Sequence, residues 1–176
     1  TALLGALTLS LSAFTLPVEA AVSGSLSDAN IGWSESEISA GTPGKGTATG
    51  NTASSSWAAS GTQITGTVTP AESSETSGGG CGGSTTTYYY SSEATSTLTI
   101  TNQSAEKSLL TFSYTVPSAG TLTIDGTAQT KASSFSKALD PNGTVLIKLT
   151  TSAAPASSTS SNPSGYAASA TLSNLS

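Results

Sequence analysis

The chain has 176 residues, 10 of them acidic and 5 basic, giving a net charge of −5 and only 9% charged residues, against about 25% in an ordinary soluble domain. Serine (35) and threonine (30) dominate, histidine, methionine and arginine are absent, and there is one cysteine. Common zinc sites and histidine-dependent triads cannot be assembled from this inventory, and five scattered lysines make no phosphate-binding surface, so neither a cofactor nor nucleic acid is expected.

Hydrophobic residues make up 35% of the chain, but the remainder is hydroxyl-rich and glycine-rich rather than charged, which predicts a folded chain with one core. Threonine favours strands, and 18 glycines with 7 prolines supply turns between them. The composition predicts an all-β protein.

Residues 1–20 admit three readings. The apolar run from Leu3 to Phe14, followed by Val18-Glu19-Ala20 before Ala21, has the layout of a secretory signal with a small-residue cleavage site. Leu3, Leu4, Leu7, Leu11 and Phe14 also satisfy helical spacing. However, Thr8, Ser10, Ser12, Thr15 and Pro17 interrupt the roughly 20 apolar residues that a membrane span needs, so no stable span is expected. Finally, Leu7, Leu9, Leu11 and Ala13 alternate with Thr8, Ser10 and Ser12 in the period of a half-buried strand, and Leu7 to Leu16 would extend about 33 Å. An apolar terminal strand is an aggregation hazard unless a sheet edge receives it. Received by another copy, it makes a head-to-tail contact that propagates as a fibre.

From Ala21 to Ser56 the pattern predicts one or two strands and a loop, with apolar positions at Val22, Leu26, Ile31, Trp33 and Ile38. Regular strands are predicted at Gln63–Thr69, Thr95–Thr101, Leu109–Val116, Thr121–Ile124, Ser133–Leu139, Thr144–Thr150 and Ala168–Leu175. Turn chemistry at Asp125-Gly126 and Asp140-Pro141-Asn142-Gly143 separates them. Their inward set is Ile64, Val68, Leu98, Ile100, Leu110, Phe112, Tyr114, Leu122, Ile124, Phe135, Val145, Ile147, Leu149 and Leu172. Flexible loops are expected near 70–87 and 151–165. Short strands at intervals near ten residues predict an immunoglobulin-like antiparallel β-sandwich over 21–176, with an extended N-terminal strand, and the absence of a Cys-Trp-Cys pattern excludes an antibody-type domain.

In the alternating Thr8 to Leu16 segment and the strand pattern that follows, the chain resembles the donor-strand pilins and thread-like filament subunits of prokaryotic cell surfaces. That resemblance implies polymerisation by insertion of a terminal strand into the neighbouring subunit's sandwich, with identical subunits as partners and an extracellular or cell-surface location.

Other candidates have plain alternatives. Asn102-Gln103-Ser104, Asn142-Gly143-Thr144 and Asn174-Leu175-Ser176 match the N-glycosylation triplet, while Asn162 precedes Pro163 and is excluded; among so many hydroxyl residues such triplets also arise by chance. Cys81, set among glycines, is either an intersubunit disulfide or a free thiol. Tyr88-Tyr89-Tyr90 is either a sugar-stacking surface or aromatics divided between core and exterior by strand alternation. Lys148, opposite in sense to Ile147, reads as a solvent-facing lysine rather than a buried cross-link. Asp28, Glu35 and Glu37 lack the order of a calcium loop and read as solvated. No arrangement of carboxylates supports an enzyme. The sequence therefore predicts a filament subunit in which Leu7, Leu9, Leu11 and Ala13 fill a neighbour's groove. The alternative is a monomeric secreted adhesive or carbohydrate-binding sandwich with residues 1–20 as signal and surface glycans as partners.

Overall fold

A computed structural model describes residues 21–176 except 37, 44, 47, 51, 79–82, 92 and 153–156. The expected polymerisation strand at Leu7, Leu9, Leu11 and Ala13, together with Cys81 and Glu37, lies outside the described residues. Fifteen strands, numbered in chain order, form three sheets among the described residues. The first sheet has the order β1 (Ala21–Leu26), β5 (Ser54–Gly61), β6 (Gln63–Thr69), β15 (Ala168–Ser173), β10 (Ser108–Tyr114), β13 (Ser133–Leu139). The second runs β12 (Thr127–Gln129), β11 (Thr121–Ile124), β14 (Thr144–Thr150), β9 (Ala94–Asn102), β2 (Ile31–Glu35), with β3 (Ser39–Ala40) also pairing β9. A small third sheet joins β4 (Ala48–Thr49), β7 (Glu72–Ser77) and β8 (Thr85–Tyr90).

The two large sheets face one another across a single apolar layer, a sandwich-like all-β arrangement. Alternation explains it strand by strand: Ile64, Val68, Leu98, Ile100, Leu110, Phe112, Tyr114, Leu122, Ile124, Val145, Ile147, Leu149 and Leu172 are all buried, each flanked by an outward hydroxyl or other surface residue. Phe135 of the inward set is only partly buried, because β13 ends its sheet; its ring stacks on Phe112 with centroids 5.0 Å apart. Lys148 is exposed, on the opposite side of β14 from Ile147.

Four features depart from the sequence reading. The pairing is not wholly antiparallel, since β1 runs parallel to β5 from Ala21↔Ser56 to Leu26↔Gly61. The stretch expected as a loop near 70–87 holds β7 and the first half of β8, paired from Glu72↔Tyr90 to Ser77↔Thr85, because β7 has no apolar residue to signal a strand. Of the stretch near 151–165, the described residues from 157 onward are tied down: Ser158 and Tyr88 exchange two backbone bonds of 2.8 Å, and Pro163–Tyr166 forms a short 3₁₀ helix capped by Asn162. Finally β5, Ser-Ser-Ser-Trp-Ala-Ala-Ser-Gly, is a strand that the sequence pattern does not predict, since its inward residues besides Trp57 are Ser55 and Ala59.

Trp57 is fully buried and pairs with Gly66 across β5 and β6. A Cβ at position 66 would fall within the indole ring, so the large residue requires the absent one. The β11–β12 hairpin turns on Asp125 and Gly126, both at positive φ (46° and 80°), the conformation that the Asp-Gly pair favours.

The outward side of the first sheet is uncharged over β5, β6, β15, β10 and β13, and cross-strand hydroxyls bond there, as in Thr67–Ser169 at 2.9 Å. One pole of the sandwich carries Ala21, the β7–β8 hairpin and the 3₁₀ helix. The other carries the Asp28–Asn30 turn, the Asn102–Lys107 connection, the Asp140–Asn142 turn and Ser176.

Candidate functional site

Leu109 and Leu110 are adjacent in β10, so alternation must send one of them outward; Leu110 is buried and Leu109 is 60% exposed. Leu109 overhangs a cleft of about 90 Å³ at the second pole, lined on its apolar side by Ile31, Leu109, Leu110 and Leu139 and on its polar side chiefly by Asp28, Asn30, Asn102 and Ser108. An apolar cavity of about 150 Å³ holds benzene. The smaller cleft suits one aliphatic side chain better than a sugar ring. Beside it runs β13, seven residues whose outer edge pairs with no described strand.

Asn102 forms the rear of this pole. It is 5% exposed, and its amide nitrogen donates to the carbonyls of Glu106, Leu139 and Asp140 at 2.9, 3.0 and 3.2 Å, while its Oδ1 accepts from the Ser104 backbone N–H at 3.0 Å. The nitrogen to which a glycan would be linked is thus the donor of a buried cluster, and a sugar on Asn102 is incompatible with this packing. Asn142 and Asn174 are exposed, at positive φ (62° and 57°), in turns that present their amides to solvent.

Two buried carboxyl clusters lie elsewhere. Glu35 of β2 bridges the large sheets: its Oε1 accepts from Ser55 Oγ at 2.7 Å and from Ser96 Oγ at 3.4 Å, and Ser96 in turn accepts from Trp57 Nε1 at 2.9 Å. Its Oε2 is buried without a partner. Burial raises the Glu35 pKa above its ordinary value, against the lowering effect of the bonds from Ser55 and Ser96. The carboxyl expected to be solvated is therefore a structural bridge. A group whose pKa is raised by folding contributes stability in full below its unfolded value, and loses it as the pH rises through the folded one. Glu35→Gln, which keeps the accepting oxygen, is therefore expected to be more stable than the native protein at pH 7, with the advantage shrinking as the pH falls through the raised folded pKa and gone below the unfolded value of about 4.3. Urea unfolding at several pH values checks this, and a difference independent of pH contradicts it.

Glu72, 6% exposed, accepts from Ser161 Oγ at 2.9 and 3.0 Å. Tyr90 beside it donates to the Ser160 carbonyl at 3.1 Å and accepts from the Asn162 N–H at 2.9 Å, its ring edge-on to Tyr166 at 4.8 Å. Burial raises the Tyr90 pKa, opposed by the Asn162 bond and reinforced by Glu72. Of the three consecutive tyrosines, Tyr90 is buried and Tyr88 and Tyr89 half-buried; Tyr88 and Tyr90 anchor the 157–166 stretch while the Tyr89 hydroxyl donates to Glu75 at 3.4 Å, so the three do not form one exposed aromatic platform.

On the side of the sandwich between β13 and β12, Lys137 reaches Asp125 at 2.6 Å. Burial pulls the Asp125 pKa upward, but the bonds from Lys137 and the Leu146 N–H outweigh it and leave the carboxyl below its ordinary range. Asp28 accepts from the Asn30 N–H at 2.9 Å and does not meet Glu35. Among the described residues no three His, Cys, Asp or Glu side chains gather as a metal site, and no helix is long and apolar enough to cross a membrane. The chain matches no protein-family model, no curated protein and no solved structure.

The cleft and the β13 edge were not singled out from the sequence. The Leu109-Leu110 doublet was the available signal, since neighbours in a strand cannot both face one core.

Proposed function

We propose that the protein is a structural subunit of an extracellular or cell-surface filament, an immunoglobulin-like sandwich that polymerises when the N-terminal strand of one copy completes a sheet of the next. Polarity carries this reading: residues 1–20 join the sandwich through Ala21 at one pole, and the part-apolar cleft, with a sheet edge that no described strand pairs, lies at and beside the other. A donor at one end and an acceptor toward the opposite end make a heterologous contact, which extends as a fibre instead of closing as a dimer. Leu7, Leu9 and Leu11, buried at about 1.5–3 kcal/mol each, would make such a junction slow to open. An uncharged hydroxyl face supports lateral packing or a glycan coat, with Asn142 and Asn174 as exposed acceptors and Cys81 as a candidate cross-link between subunits.

One observation favours a second reading. Val18-Glu19-Ala20 before Ala21 fits the small-residue cleavage site of a secretory signal, as in a mature chain that starts at Ala21. A monomeric adhesive or carbohydrate-binding domain would then result. Imaging of native material, with its N-terminus read by mass spectrometry, separates the two: fibres whose subunits retain Leu7–Leu16 support the first, single particles starting at Ala21 the second.

A further inference from the structure

We propose that Glu35 is a pH-operated latch on the edge strand β2: protonated, its carboxyl fastens the end of β2 to the opposite sheet, and ionised, it lets that end go. The device belongs to the sandwich itself and operates whether or not the chain polymerises.

β2 ends the second sheet: it pairs with β9, and its outer edge pairs with no described strand. Its last residues are lightly held. Glu35 pairs with Leu98 and Ser39 of β3 with Thr95, four steps along the edge (35 to 39) against three along β9 (98 to 95), so the edge carries one residue more than its partner, the count of a β-bulge. At this break the Ser36 N–H donates to the Thr97 carbonyl at 2.8 Å, and the Ser36 hydroxyl accepts from the Thr97 N–H at 3.2 Å. Among the described residues, a single side-chain hydrogen bond ties β2 to the first sheet, from Ser55 Oγ to Glu35 Oε1 at 2.7 Å.

The surroundings suit the neutral carboxyl and not the anion. No charged residue occurs in β1, β3, β5 or β9, the strands that pair with or face this end of β2. Glu37, the nearest titratable residue in sequence, is a second acid and lies outside the described residues. Oε1 accepts from Ser55 and Ser96, whereas Oε2 is buried without a partner. A proton on Oε2 removes the charge and leaves both accepted bonds in place; without it an anion is held out of water with no cation to offset it. Relief comes by moving the carboxylate into water, which breaks the Ser55 bond and frees the end of β2 at its bulge. The direction of titration agrees: burial raises the Glu35 pKa, so closure is fully favoured below the unfolded value and loses that advantage as the pH rises through the folded one.

Native-state hydrogen exchange of the full chain, read residue by residue from about pH 3.5 to about pH 8 and corrected for the intrinsic pH dependence of exchange, tests the latch. The Ser36 N–H reports the latched end of β2, and the Gln103 N–H, which donates to the Asn30 carbonyl at 2.7 Å, reports the other end. Protection of Ser36 is expected to fall as the pH rises, by about tenfold for each unit by which closure raises the Glu35 pKa, while protection of Gln103 holds steady. In Glu35→Gln the Ser36 amide should stay protected throughout, and in Ser55→Ala it should be poorly protected already in acid. Ser36 protection that does not change with pH in the native chain, or that falls in step with Gln103, overturns the latch, and this native series is decisive even where a variant fails to fold. The same fall in Glu35→Gln, or native-like protection in Ser55→Ala, overturns it as well.

Discussion

Replacing Trp57 by alanine is expected to destabilise the fold by about 3–5 kcal/mol, about a fifth or more of the roughly 5–15 kcal/mol that holds a typical domain together. The side chain is fully buried beneath the first sheet, and its cross-strand partner is Gly66, which has no side chain with which to fill the cavity left behind. The indole N–H is also lost to Ser96, whose hydroxyl helps hold Glu35, so the bridge between the two large sheets weakens with it. Because Gly66 and Trp57 occupy one space, Gly66→Ala is itself expected to cost about 1–3 kcal/mol by overpacking. The pair Trp57→Leu with Gly66→Ala should cost less than the sum of its parts. Urea unfolding followed by far-ultraviolet circular dichroism measures all of these; a Trp57→Ala loss below about 1 kcal/mol would contradict the packing described.

The second large effect concerns assembly. Removing residues 1–20 is expected to abolish fibres and leave a folded monomer, because a donor strand completes a neighbour's sheet and not its own. Leu9→Asp should reproduce that loss with one residue, since it takes a carboxylate out of water where a leucine is to be buried. Thr8→Asp, on the opposite side of the same strand, should assemble nearly normally. Sedimentation and electron microscopy give the fibre yield, and an unchanged circular dichroism spectrum of the unassembled Leu9→Asp protein separates failed docking from failed folding. Unchanged polymerisation of either the truncated or the Leu9→Asp protein would rule the segment out as a donor.

Much of the second half of the fold was legible because its strands alternate cleanly. Val145-Leu146-Ile147-Lys148-Leu149 and Thr95 to Thr101 fix both strand and face, and the Asp125-Gly126 turn sets the hairpin between β11 and β12. The first half was less legible for a physical reason. β5 packs alanine and serine around one tryptophan, and β7 has no large apolar residue, so neither shows an apolar period although both form full ladders. Long-range pairing is equally silent in sequence: nothing in Ala21–Leu26 specifies that it runs parallel to β5. Asn102 shows the same limit at a site. Its triplet reads as a glycan acceptor, but the three carbonyls that claim its amide come from residues 4, 37 and 38 positions away.

The measurement that bears most directly on the filament is negative-stain electron microscopy of native material, with the N-terminus of the same preparation determined by mass spectrometry. The account predicts regular fibres built from subunits that retain Leu7–Leu16. Single particles whose chains start at Ala21 would contradict it and make residues 1–20 a signal removed before the protein acts.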